Sequence, residues 1–338
     1  MSCVRRPFAM SPLVTRRELL SAIGAAAVAP RLRPMVRAAE GHPMSGAFMI
    51  LSTPYTESNE IHHEDLAGQV DFLDRCGVHG FVWPQNSSEQ RYLSRDERLR
   101  GMDTIAKASR DKRQALIFGV QADNTAGMLE YARHAESLEP DGMIAIPPTV
   151  ASSLADYREY YEALASVTSR PVFIQTSGGA PKVEPTVEFL VDLAKDFPNL
   201  AYIKEEREPV HDRMRALAKH RPDPIKSIFG AAFGLAWLYE MRMGMDGVMT
   251  GGAMYADVYV RLWELHQAGK LAELRDLYGK LLLMLNLDPI IPGVRLYVLK
   301  KRGIFSTTKS RRGEYTFSAV ETAEIEYRLD GLQAYLQA

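Results

Sequence analysis

From Gly46 onward, short apolar runs alternate with longer amphipathic stretches, and the alternation persists through most of the chain. Ala47-Phe48-Met49-Ile50-Leu51 has the length and unbroken apolarity of a buried strand. After a polar loop, the spacing of Leu66, Val70, Phe72 and Leu73 predicts a helix over 63–75. The same pair then recurs. Strand-like runs follow at 80–83, 115–120, 142–146, 171–175, 200–204, 225–230 and 246–250. Helical patterns follow them at 95–110, 125–138, 155–167, 185–197, 210–220, 235–243 and 259–268. Pro185 suits the first turn of the helix it opens. Eight strand–helix units of this length predict a (β/α)₈ TIM barrel over 40–270. A doubly wound open sheet is the alternative, but no Gly-rich dinucleotide turn accompanies the strands. Residues 271–338 read as mostly helical and too short for a second α/β domain, hence a C-terminal helical extension.

Composition adds little to this picture and removes several function classes. The 338 residues are 46% hydrophobic and 25% charged with a formal net charge of −1, enough for a full core. That charge lacks the basic footprint of a nucleic-acid binder. No P-loop, G-x-G-x-x-G or Cys/His zinc spacing is present. The run His62-His63-Glu64-Asp65 opens a helix, where adjacent side chains do not converge on one point, so no metal is expected. Residues 1–39 differ in kind. Thr15-Arg16-Arg17-Glu18-Leu19-Leu20 leads into an apolar run over 19–29 and the small-residue stretch Val36-Arg37-Ala38-Ala39. This layout resembles a twin-arginine signal peptide and predicts export to the periplasm, with cleavage near Ala38 or Ala39. The apolar run is too short to span a bilayer, so no stable membrane insertion is expected. The other reading is a basic extension on a cytoplasmic protein. Once such a leader is removed, Cys76 stands alone and is expected to behave as a small buried hydrophobe.

The chemistry centres on Leu200-Ala201-Tyr202-Ile203-Lys204-Glu205-Glu206. Its apolar run ends in a lysine at the C-terminal end of the sixth strand, where a TIM barrel places its catalytic groups. A lysine there forms Schiff bases with carbonyl substrates if burial or a nearby cation lowers its pKa. The plain alternative is a strand-end lysine that reaches solvent.

Three further features carry a family resemblance. Thr53-Pro54 follows the first strand, Asn86-Ser87-Ser88-Glu89 follows the second with Leu93 and Glu97 beyond, and Ile203-Lys204-Glu205 closes the sixth. From Gly46 to about Gly303 the chain resembles the dihydrodipicolinate synthase / N-acetylneuraminate lyase family, whose corresponding motifs are T-P, G-T-T-G-E and I-K-E. The resemblance implies a (β/α)₈ barrel with a C-terminal helical extension, assembled as a homo-oligomer (tetramer or dimer). It implies a class I aldolase or dehydratase that joins Lys204 to a 2-oxo acid, possibly sugar-derived. The covalent imine stands in place of any cofactor. Asn86 and Ser87 occupy the two threonine positions of the G-T-T-G-E loop, and both side chains can hydrogen-bond a substrate carboxylate.

The departures matter equally. Gln175 stands nearest the family's proton-shuttling tyrosine and has no titrating proton. Thr149 stands nearest a second family tyrosine and is an equally poor acid or base. Where synthases of the dihydrodipicolinate type carry an arginine, Gly179 or Ala180 falls here, removing a bidentate clamp for a second carboxylate. Dihydrodipicolinate synthesis itself is therefore disfavoured. Gln175 and Ser177 are expected to touch substrate, or else to cap a turn. Gly230, Gly251 and Gly252 are expected around the mouth as backbone positions, or else as plain strand-to-helix turns. Glu206 receives no role from sequence alone. Two functions remain open: a Schiff-base lyase acting on a 2-oxo acid, and a barrel that binds an oxo acid without turnover.

Overall fold

The computed structural model describes residues 43–336. The leader read at 1–39 lies outside the described residues. The strand–helix alternation closes into a ring. Its units are β1 (Gly46–Ile50), α1 (His63–Cys76), β2 (Gly80–Trp83), α2 (Arg95–Ser109), β3 (Ala115–Gly119) and α3 (Thr125–Ser137). Next come β4 (Gly142–Ala145), α4 (Leu154–Val167), β5 (Val172–Gln175), α5 (Val187–Asp196), β6 (Tyr202–Lys204) and α6 (Val210–Ala218). The last are β7 (Ser227–Gly230), α7 (Trp237–Arg242), β8 (Gly247–Thr250) and α8 (Ala256–Gln267). Each strand pairs in parallel with the next, and β8 returns to β1 through Gly46 opposite Gly247. Closure leaves no sheet edge, and the arrangement is a (β/α)₈ TIM barrel with additional C-terminal helices.

Several boundaries shift by one to three residues from the sequence pattern, two of them for evident local reasons. The helix expected from Pro185 begins at Val187, because the Thr186 hydroxyl accepts the Phe189 amide and caps it one residue later. The sixth strand begins at Tyr202, since Pro198–Leu200 winds into a 3₁₀ turn. His62 Nδ1 accepts the Asp65 amide at the start of α1, so that histidine acts as a cap.

Alternation along each strand sorts the side chains into two cores. Phe48, Ile50, Val82, Ile117, Ile144, Phe173, Phe229 and Met249 fill the barrel interior. Phe48, Phe173 and Phe229 pack with ring centroids 5.0–6.3 Å apart. On β6, Tyr202 packs against this inner cluster while Ile203 joins the outer one under the helices. The next inward position is Lys204, paired with Gln175 on β5 and Phe229 on β7. Cys76 is partly buried against the outer core, and burial pushes its thiol up to about 12.

The extension holds α9 (Leu271–Leu285), α10 (Val294–Lys301) and α11 (Ala319–Asp330). It is less helical than its composition suggests, because residues 304–318 run as coil. The segment Ser306-Thr307-Thr308-Lys309-Ser310 is rich in hydroxyls that compete with helical hydrogen bonds. Those hydroxyls find partners on the barrel instead. Ser306 bonds Asp65, Thr307 donates to the Tyr55 carbonyl at 2.6 Å, and Ser310 donates to Glu89 at 2.6 Å. Arg311 grips Glu97 with two bonds of 2.6 and 2.9 Å and lies 4.6 Å over the Tyr55 ring. The Arg311 hydrogen bonds hold the Glu97 carboxyl down at about 2.

Candidate active site

Lys204 closes β6 with its side chain inside the barrel, 3% exposed. Its Nζ donates to Gln175 Oε1 at 3.0 Å and stands 3.3 Å from Glu206 Oε1. Gln175 Nε2 donates to Ser177 Oγ at 3.1 Å, and the Ser177 hydroxyl donates in turn to Glu206. Four side chains from two adjacent strand ends therefore close a ring of three hydrogen bonds and one ion pair that includes the amine. Glu205 faces the other way. It accepts Thr176 Oγ1 at 2.5 Å and the Arg207 amide at 2.8 Å, and lies 3.1 Å from Arg213 Nε. That anchorage holds the loop on which Glu206 sits.

Lys204 faces a cavity of about 250 Å³. Ile50 and Met249 of the inner core form its floor, and Asn86, Ser87, Glu206, Phe233, Thr250, Gly251, Arg295 and Arg312 its walls. Asn86 and Ser87 begin a 3₁₀ turn after β2 that is itself fixed: the Ser88 hydroxyl donates to the Leu51 carbonyl at 2.6 Å. Gly251 is there because nothing larger fits. A Cβ would come 2.3 Å from Ser87 Oγ. Gly252 is packed just as closely, but against the Tyr259 ring.

Of the residues expected at the site, the structure brings together Lys204, Gln175, Ser177, Asn86, Ser87 and Gly251. It does not place Thr149 or Gly230 with them. Pro147-Pro148 carries the chain away after β4, and the Thr149 hydroxyl donates to Asp123 at 2.6 Å. Both line a separate cavity of about 520 Å³ with Arg98, Gln121 and Tyr131. That cavity is the larger, but no lysine lines it, whereas Lys204 lines the smaller one.

Gly230 fails by strand register. Phe229 is the inward residue, and a Cβ on Gly230 would meet Glu240 Oε2 at 1.8 Å on the helix side. Glu240 is 3% exposed, its Oε2 has no hydrogen-bond partner, and burial pushes its carboxyl up to about 7. Its pKa is higher folded than unfolded, so its contribution is present below about 4.5 and is lost as pH rises through about 7. Glu240→Gln should therefore raise the melting temperature relative to the parent at pH 8 and much less at pH 4.5. Thermal melts across that range check this.

Sequence reasoning missed three charged residues of the cavity. Glu206 carried a readable signal, since it lies two residues beyond Lys204 and alternation puts both on one side. Arg295 and Arg312 carried none. They come from α10 and the coil after it, and only tertiary packing returns them to the mouth. Among the described residues lining this cavity there is no tyrosine.

A closed (β/α)₈ barrel with a buried lysine ending its sixth strand, over a polar cavity, defines a barrel whose chemistry sits at the strands' C-terminal ends. More particularly, the chain belongs to the dihydrodipicolinate synthetase family, whose model matches residues 43–312. It is similar to the 4-hydroxy-tetrahydrodipicolinate synthase of Chlorobium chlorochromatii (strain CaD3), 24% identical over 265 residues, covering 77% of this chain and 88% of that one. The crystal structure of dihydrodipicolinate synthase from Rhodopseudomonas palustris shares the fold with a TM-score of 0.75 at 24% identity, covering 85% of this chain and 97% of that one. So does a prophage protein of the dihydrodipicolinic acid synthase family from E. coli K12, solved in complex with pyruvate. Its TM-score is 0.76 at 20% identity, covering 86% of this chain and 99% of that one.

Proposed function

We propose that the chain is a Schiff-base-forming lyase that acts on a 2-oxo acid through Lys204. One observation carries this reading: the buried Nζ faces a cavity with Glu206 Oε1 3.3 Å away. Family membership supports it. The neutral amine attacks the substrate C2 carbonyl, and the resulting carbinolamine loses water to give the iminium. That cation draws electrons from a bond at C3, which breaks to leave the enamine. Protonation of the enamine and hydrolysis then restore Lys204. These steps need a group that takes and returns protons beside the nitrogen. Gln175 cannot do so, and Glu206, steadied by the Ser177 hydroxyl, has both the chemistry and the position. Asn86 and Ser87 supply polar side chains for the carboxylate adjoining C2.

A barrel that binds an oxo acid without turnover would also keep Lys204; the adjacent carboxylate favours turnover. Dihydrodipicolinate formation itself is a poor fit. Gly179 or Ala180 stands where such synthases carry an arginine, in a turn where the Ala180 amide donates to Tyr157 at 2.9 Å, and neither supplies a guanidinium. The experiment is proton exchange. Incubated with pyruvate in D₂O, the protein should wash the methyl protons out through the enamine, seen by proton NMR as loss of the methyl signal. No loss beyond the protein-free rate would sink the proposal.

A further inference from the structure

The cavity beside Lys204 is completed from outside the barrel. Arg295 of α10 and Arg312 of the following coil both line it. Arg295 is held in a fixed plane: its Nε donates to Asp288 at 2.8 Å, and its guanidinium lies 4.5 Å over the Phe233 ring. Its terminal nitrogens have no hydrogen-bond partner among the described residues. Arg312 donates to the Asn86 carbonyl and has no carboxylate partner among the described residues. Its position is set by its neighbours, since Ser310 and Arg311 are both bonded to Glu89.

The walls thus present Lys204, Arg295 and Arg312 against one carboxylate, Glu206, which already engages Lys204 and Ser177. Guanidinium nitrogens left open at the rim of a small cavity are built to meet an oxyanion. The carboxylate next to the reacting carbonyl is accounted for by Asn86 and Ser87, so these arginines face a different group. We infer that the substrate is a 2-oxo acid with a second carboxylate at its far end, and that Arg295 and Arg312 select for it. This rests on the Schiff-base reading of Lys204.

The test compares two five-carbon acids that differ only in that group, 2-oxoglutarate and 2-oxopentanoate. The full chain is titrated with each in the presence of borohydride, and the trapped fraction is read by intact mass. The diacid should half-saturate trapping at a concentration about tenfold or more below the monoacid. Arg312→Gln and Arg295→Gln should each narrow that ratio severalfold, with circular dichroism showing that both remain folded. Equal half-saturation in the parent, or a ratio unmoved in both variants, overturns the inference while leaving the Schiff base intact. No adduct with either acid removes the Schiff-base reading instead. Calorimetric binding of the same pair then decides charge selection, and equal affinities there overturn it.

Discussion

Lys204→Ala should lower turnover of any 2-oxo acid substrate by on the order of 10³-fold or more, since among the described residues no other lysine lines the cavity to form the proposed imine. Deuterium exchange into pyruvate should fall to the protein-free rate. Lys204 is 3% exposed and its amine is bonded only to side chains, so its loss leaves Gln175 Oε1 without that donor but breaks no backbone pairing. Lys204→Met, which keeps more of the volume, separates loss of chemistry from loss of packing. Lys204→Arg keeps the charge but cannot become a neutral nucleophile, and should be as inactive as Lys204→Ala. Turnover in Lys204→Arg above the level of Lys204→Ala would show that the lysine acts as a cation alone.

Glu206→Gln should cost roughly 10²- to 10⁴-fold in kcat, the usual worth of a positioned acid–base group. The substitution keeps the shape and can still hydrogen-bond Ser177, so binding should change far less than turnover. Gln175→Ala provides the contrast. It removes the 3.0 Å bond to Nζ but no titrating proton, and its effect on kcat should be smaller. Steady-state kinetics on both variants, with kcat and KM separated, check the assignment. A larger loss in Gln175→Ala than in Glu206→Gln would reverse the two roles.

The barrel was legible because its signal is periodic and repeated eight times. Each apolar run had to be buried on both faces, and the helices between them had one apolar stripe each. The lysine was legible for the same reason, since strand order places the end of the sixth run at the mouth. Side-chain direction was less so. Gly230 read as a mouth residue by its place at a strand end, yet period-two alternation sends it outward to Glu240. Applied consistently, that rule would also have picked out Glu206 from Lys204. Thr149 failed because a loop after two prolines has no period from which to predict its course. The coil at 304–318 and the two arginines brought by the extension lay furthest from reach. The coil and Arg312 are set by contacts more than two hundred residues apart, such as Arg311 with Glu97 and Arg312 with Asn86, while Arg295 is set by Asp288 and the Phe233 ring.

Borohydride reduction with pyruvate followed by peptide mapping tests directly whether substrate attaches covalently to one particular amine. The predicted result is a single reduced pyruvyl group on the peptide containing Lys204, absent when Lys204 is replaced by alanine. An unmodified chain, or a label on another lysine while Lys204 stays free, would contradict it.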